Sequence, residues 1–446
     1  MEQPLFTNKQ LKNMILPLIL EQFLMMLVGL ADTFIVSYAG EAAVSGVSLV
    51  NSFNTIFLYL FTALASGGAV IVSQYIGSGK KEKASEAISQ LLMISTVFSF
   101  VIMMLVLLGN EVMIDALFGK VEPEVRTACL TYLKISAYSY PALAVYNAGA
   151  ALYRSVGKTK TTMEISLASN VINVAGNLIG VFVLHAGVAG VAYPSLISRT
   201  FSAVAITVLC FGGRVEIGYE MPQIFAWKGK LLRQILRIAI PNGVESGIFQ
   251  FVKVALSSVV ALFGTYQIAA NGIAQSIWSV AALISASMGP VFITVIGQCM
   301  GAREIGQAEF YFKKLLRITV SVSILWNIAV FAVTPFLMGF YAVSPQTRQL
   351  VIWLVLIHNV ANGVIFPFAD PLGKGLRAAG DVNFTMGISL FTTIGVRLVL
   401  SLLLGIVLNW GVIGIAVAMS LDWLTRAVIF VIRYKRGKWK TFNVIA

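Results

Sequence analysis

The sequence predicts an all-α polytopic membrane protein with twelve transmembrane helices, arranged as two six-helix bundles related by a pseudo-twofold axis. Three observations predict it. Of 446 residues, 58% are hydrophobic and only 11% charged, whereas a soluble protein carries about 25% charge. Apolar runs long enough to cross a bilayer recur along the whole chain. A shift of 224 residues also lays the second half on the first, carrying Pro17 and Glu21 of "PLILE" onto Pro241 and Glu245 of "PNGVE".

The runs fall at about 14–37, 48–76, 86–108, 129–152, 162–184 and 188–212 in the first half. In the second half they fall at about 237–262, 272–297, 311–334, 348–372, 382–407 and 411–433, each bounded by Gly, Pro or charge. The first follows Lys9 and Lys12; it is too long for a removable signal peptide and lacks a small-residue cleavage site, so it is expected to stay as a helix. The second leads into "QYIGSGKKEKA", whose "GSGKK" lacks the GxxxxGK[ST] spacing of a phosphate loop and reads as a turn. The sixth leads into residues 213–232, read as a cytoplasmic loop joining an N-terminal lobe (1–212) to a C-terminal lobe (233–446). The second half repeats the pattern: Gly40 matches Gly264, Ser52 matches Ser276, and "QYIGSGKKEKA" matches "QCMGAREIGQA". "RSVGKTKTTMEIS" meets "RAAGDVNFTMGIS" at a shift of 223, and "GVAGVA" meets "GVIGIA". Six helices per half is an even number, so both halves enter the membrane from one side, as parallel repeats. Such repeats commonly hold a substrate cavity between lobes that rock against each other, which favours a transporter over a channel.

The net charge of +13 is distributed unevenly. The inner segments hold 24 Lys and Arg, including the basic tail "RYKRGKWK", against three in the outer loops. This is the positive-inside pattern, with both termini cytoplasmic and the chain in the plasma (inner) membrane. The basic surface is expected to meet anionic lipid, not nucleic acid. Cys129, Cys210 and Cys299 stand apart with no CxxC pair, so neither a disulfide framework nor a cysteine metal site is expected. With only His185 and His358 as histidines, the clusters a membrane enzyme would need are missing from the sequence. No enzymatic activity is expected, and no cofactor beyond a coupling ion.

The polar residues at membrane depth carry the functional reading. A carboxylate there costs roughly 3 kcal/mol on insertion scales, yet the first run holds Glu21 and Asp32. Eleven residues apart, they lie within about 20° of one helix face and roughly 16 Å apart along it. Asp32, Asn173 and Asn177 in the fifth run, and Ser195 in the sixth, stand at a similar depth below the outer surface. One carboxylate, two amide carbonyls and a hydroxyl form an oxygen set suited to Na⁺, or to a proton on Asp32; separate interhelical hydrogen bonds are the alternative. The second-half residue matching Asp32 is Leu256, and at the 223 shift Asn173 and Asn177 meet Val396 and Leu400. Glu21 and Glu245 are symmetric and near the cytosol, and read either as a possible inner gate or as partners of a nearby Lys or Arg. Arg397, Asp422 and Arg426 read as an ion pair inside the second lobe, and His358 as an interior histidine. Lys253 has no partner that the sequence names.

These residues, together with "LADTFIVSYAGEAAVSGVSL", "SQYIGSGKKEKA", "ALYRSVGKTKTTM" and "LRAAGDVNFTM", make the chain resemble the MATE family, the multidrug and toxic compound extrusion transporters. The resemblance covers nearly the whole chain. It implies two six-helix bundles around a central cavity, and export of organic, often cationic, amphiphiles in exchange for Na⁺ or H⁺. It places the family's acid of the first helix on Asp32, its asparagine of the fifth on Asn173, and its hydroxyl of the sixth on Ser195. Where many relatives have Asp, this chain has Asn177, which leaves Asp32 as the sole acid of the site and tilts the reading toward Na⁺. Some relatives carry acids in the seventh and tenth helices; here those places hold Phe249, a turn after Glu245, and nearly Asp370.

The reading is therefore an antiporter for a small-molecule organic substrate, coupled to Na⁺ or H⁺ at Asp32, Asn173, Asn177 and Ser195. Met25, Met26, Asn51, Asn54, Tyr138, Tyr140 and Gln275 are the candidates for the cavity wall, since Met and aromatic side chains accommodate varied apolar cations. The chain is expected to work as a monomer, because the two-lobe design requires no second subunit. A flippase for a lipid-linked precursor is the alternative, for which Arg199 and Arg397 would be the pyrophosphate-binding cations.

Overall fold

The computed structural model describes residues 4–118, 122–213, 215–341 and 343–445. Helices carry the whole architecture, and no strand occurs among the described residues. The chain divides into two compact units, Asn8–Gly243 and Val244–Ala446, the second including the segment up to Thr7.

The first unit opens with α1 (Asn8–Ser37), α2 (Glu41–Gly77) and α3 (Lys81–Phe118). The fourth expected run is broken into α4 (Pro123–Tyr138) and α5 (Tyr140–Ser155), because Pro141 in the first turn of α5 cannot donate back to the preceding turn. Then come α6 (Thr159–Leu178), a π-helical turn at Ile179–Val183, α7 (Ala189–Phe211) and the short α8 (Met221–Phe225). Helix α9 (Gly229–Val260) begins in this unit and continues into the second. Its core is apolar throughout, with Val50, Phe61, Leu133, Tyr140 and Val191 at its centre. The connection after α7 is not a loose tether. Gln90 donates to the carbonyls of Gln223 and Ala226 at 2.5 and 2.6 Å, and Lys81 pairs with Glu216.

The second unit holds the rest of α9, α10 (Thr265–Ala281), α11 (Leu283–Gly301) and α12 (Ile305–Leu337). A bent run follows, made of α13 (Pro345–Val364), α14 (Phe366–Ala369) and α15 (Pro371–Ala378), turning by 55° where prolines stop each helix. It ends with α16 (Val382–Phe391), a π segment at Thr392–Leu398, α17 (Val399–Leu402), a second π segment at Leu403–Val407, and α18 (Gly411–Lys435). Val252, Ala270, Leu354 and Val412 form its core. Phe6 seals the unit at the chain's start, accepting from and donating to the Tyr311 hydroxyl at 2.7 and 2.8 Å.

Among the described residues ten helices are long and apolar enough to span a membrane, or eleven counting the bent pair as one. The expected twelfth, 129–152, is the broken α4–α5 run, each half of which has 16 residues.

The repeat is written into the backbone. Twelve described residues have positive φ, and all fall into six matched pairs: Gly40 with Gly264, Gly79 with Arg303, Gly157 with Gly380, His185 with Asn409, Gly187 with Gly411, and Gly213 with Gly437. The π turns at Ile179–Val183 and Leu403–Val407 match at 224 as well. Between the pair at 223 and the later pairs at 224 one feature breaks the pattern. The π segment at Thr392–Leu398 has no counterpart in α6, which is regular from Thr159 to Leu178. A π-bulge is one extra residue inserted into an α-helix, and it changes the offset from 223 to 224. Beyond it the counterpart of Asn177 is Ser401, which corrects the expected match to Leu400 by one residue; Asn173 falls against the π segment itself, where the 224 offset pairs it with Arg397 and the 223 offset with Val396.

Candidate cation site

Helices α6 and α7 approach closely because small residues face each other. A Cβ on Gly176 would lie 2.6 Å from Pro194 Cβ, and one on Gly180 would lie 2.1 Å from the Gly190 carbonyl oxygen. Such contacts let membrane helices pack backbone to backbone. They bring Asn173 and Asn177, one turn apart on α6, alongside Ser195 on α7, while α1 packs on the other flank of α6 and presents Asp32.

The four residues named from the sequence meet in one cluster. Asn177 Nδ2 donates to Asp32 Oδ1 at 2.7 Å. Asn173 Nδ2 stands 3.0 Å from Ser195 Oγ, and Asn177 Nδ2 is 3.3 Å from Asn173 Oδ1. Turning the Asn173 amide over satisfies it better, since its Nδ2 then donates to both Asp32 oxygens at 2.9 and 3.2 Å and its Oδ1 accepts from Ser195. Asn177 is fully buried and Asn173 nearly so. Asp32 and Ser195 are half-buried, which leaves the carboxylate at the accessible edge.

The buried Oδ1 of Asn177 has no hydrogen-bond donor. An orphaned amide oxygen one side chain away from a carboxylate fits an oxygen-seeking monovalent cation. Asp32, both amides and the Ser195 hydroxyl would hold it, with each amide able to present its oxygen on rotation. No group of three or more His, Cys, Asp or Glu suited to a metal occurs among the described residues, so any ion here relies on neutral oxygens beside one acid.

The sequence missed the surroundings of this cluster. Tyr132 donates to Asn51 Oδ1 at 3.1 Å, and Arg199, within electrostatic reach of Asp32, donates to Ser139 Oγ at 2.7 Å. The break at Ser139 frees that hydroxyl to accept, and Pro141 two residues on was its only signal.

Among the wall candidates, Met25 and Tyr138 are about half exposed, Asn51 is exposed, and Met26, Asn54 and Gln275 are half-buried. Tyr140 is different. Its ring is buried between Phe57 and Phe61, with the hydroxyl donating to Asn54 Oδ1 at 2.6 Å, so it supports the core.

Glu21 and Glu245 each find an arginine in their own unit. Glu21 accepts from Arg154 at 3.0 Å and from Tyr146 and Thr162 at 3.4 Å. Glu245 pairs with Arg377, which also donates to Thr385 at 3.1 Å. Arg154 and Arg377, like Thr162 and Thr385, are repeat counterparts at 223, so each unit carries the same clamp. Lys374 pairs with Asp370 at 2.8 Å within α15 and its N-cap.

A chain of long apolar helices, doubled in sequence and backbone, with a polar cluster at depth in one half, is a polytopic membrane transporter. It belongs to the MatE family, whose model matches residues 17–179 and again 241–403. It is 25% identical to the "uncharacterized transporter YisQ" of Bacillus subtilis over 439 residues, covering 95% of this chain and 93% of that one. It is 22% identical to the "probable multidrug resistance protein NorM" of Thermotoga maritima over 455 residues, with 98% and 94% covered. A solved MATE crystal structure in the bent conformation superposes with a TM-score of 0.86 over 97% of this chain and 96% of that one, at 18% identity.

Proposed function

We propose that the chain is a cation-coupled antiporter that exports organic, cationic or amphiphilic drugs or metabolites by alternating access. Its coupling ion, Na⁺ or H⁺, binds at Asp32. The observation that carries this reading is the Asp32–Asn177–Asn173–Ser195 cluster with its orphaned Asn177 oxygen; that oxygen favours Na⁺, which an amide ligates without titrating. The similarity to NorM supports multidrug export. Entry of one positive charge down a 100 mV inside-negative potential supplies about 2.3 kcal/mol, enough for roughly a fortyfold gradient of a neutral substrate. The protein works in the plasma membrane as a monomer with cytoplasmic termini. The flippase alternative is weakened by the engagement of Arg199 with Ser139.

The test is efflux of a fluorescent organic cation from proteoliposomes under an imposed Na⁺ or pH gradient, comparing the native chain with Asp32→Asn. Flux driven by one gradient and abolished by the substitution supports the reading and identifies the ion. Normal transport by Asp32→Asn would overturn the site.

A further inference from the structure

We propose that the second unit binds a small monovalent anion, a halide or a carboxylate, at Arg397. The residue sits in the π segment that interrupts the repeat, at the 224 offset from Asn173, and is 5% exposed. π-bulges concentrate at functional sites. Asp422, fully buried, lies between two guanidinium groups, 2.7 Å from Arg397 Nη2 and 3.2 Å from Arg426 Nη2. Two positive charges thus share one carboxylate.

The two arginines are not equally satisfied. Arg426 donates to Thr392 Oγ1 at 3.2 Å, Thr393 Oγ1 at 3.0 Å and the Ser389 carbonyl at 3.4 Å, all from the π segment or the turn before it. Arg397 meets Asp422 through Nη2 alone, and its buried Nε has no hydrogen-bond acceptor. Around it stand the faces of Phe249 and Trp423, 4.9 and 6.0 Å away. Trp278 stacks on Trp423 at 5.9 Å with its indole N–H unpartnered. His358, almost fully buried and within electrostatic reach of Arg397, has neither ring nitrogen bonded.

This neighbourhood has surplus N–H donors and surplus positive charge at membrane depth, a state that is costly unless compensated. An anion supplies both deficits, one negative charge and lone pairs for the unpartnered guanidinium N–H. A cation does not fit, because the cluster's carboxylate is already held by two arginines. Folding does not require the charges either: at the 224 offset the counterparts of Arg397, Asp422 and Arg426 in the first unit are Asn173, Ser198 and Ser202.

The test is equilibrium binding of radiolabelled chloride to the full-length protein in nanodiscs, in sulfate buffer at constant Na⁺ and ionic strength. One saturable chloride per chain is expected in the native protein, lost in Arg397→Gln. Asp422→Asn removes the competing carboxylate and should bind roughly tenfold tighter, a gain that misfolding cannot produce. Competitive displacement by acetate identifies a carboxylate as the ligand; chloride binding that acetate leaves untouched identifies a halide. Absence of saturable binding in the native chain, or equal affinity in all three proteins, would overturn the proposal.

Discussion

Asn177 on α6 donates to Asp32 on α1 across 2.7 Å, while its own Oδ1 faces no donor. The amide therefore serves the carboxylate in one orientation and would serve a cation in the other. Rotation about one side-chain bond exchanges an N–H for an oxygen at the same place.

Replacing that amide separates the two coupling ions. In Asn177→Ala, Na⁺-driven efflux from proteoliposomes should fall at least about tenfold, a loss near the 1.4 kcal/mol of one modest ligand, whereas efflux driven by a pH gradient should not. In Asn177→Asp, two carboxylates within hydrogen-bond distance share a proton, so flux should become driven by a pH gradient. Unchanged Na⁺ dependence in both variants would remove Asn177 from the ion's path.

The clamps predict unequal costs. Glu21 is 2% exposed and paired with Arg154, and removing one partner of a buried pair costs about 3–5 kcal/mol. Glu21→Ala should lower the unfolding midpoint in detergent clearly, and the Glu21→Gln, Arg154→Gln double variant should regain part of the loss. Glu245→Ala should cost less, because the Glu245 side chain is 17% exposed where that of Glu21 is 2% exposed. Equal midpoints for Glu21→Ala and the native chain would show that the clamp carries no stability.

Gly29 in α1 and Gly180 in the π turn after α6 should respond in opposite directions. Gly180→Ala drives a methyl group into the Gly190 carbonyl, and should abolish recovery of monodisperse protein on size exclusion. At Gly29, within α1, a Cβ meets nothing within 4 Å. Gly29→Ala should raise stability by about 0.5–1 kcal/mol, the propensity difference of a helix interior.

Arg303 occupies the left-handed region, φ 61°, where its counterpart Gly79 has φ 73°. That conformation costs an L-residue about 1 kcal/mol, partly offset by the greater freedom of glycine in the unfolded chain. Arg303→Gly should therefore stabilise the second unit by up to about 1 kcal/mol, read as a higher thermal midpoint.

The architecture was legible in the sequence because apolar length and the repeat are chain-wide signals. Helix breaks were not, since an apolar run reads the same whether straight or bent; Pro141, Pro367 and Pro371 were the local clues at three of them. Asp32, Asn173, Asn177 and Ser195 could be grouped because helical rise places them at one depth. Tyr132 and the Ser139–Arg199 bond escaped, since each joins helices whose angular setting only packing decides. The register beyond residue 391 went astray for a plainer reason. "TMGIS" repeats at 223 and "GVIGIA" at 224, so an extra residue had to lie between them, and the structure locates it at Thr392–Leu398.

That extra residue has a geometric corollary. Adding one amino acid to an α-helix would rotate everything beyond it by about 100°; the π segment absorbs it, so the matched π turns and left-handed residues downstream keep their places. The extra residue is taken up within Thr392–Leu398, where Arg397 stands at the 224 offset from Asn173 of the sister half.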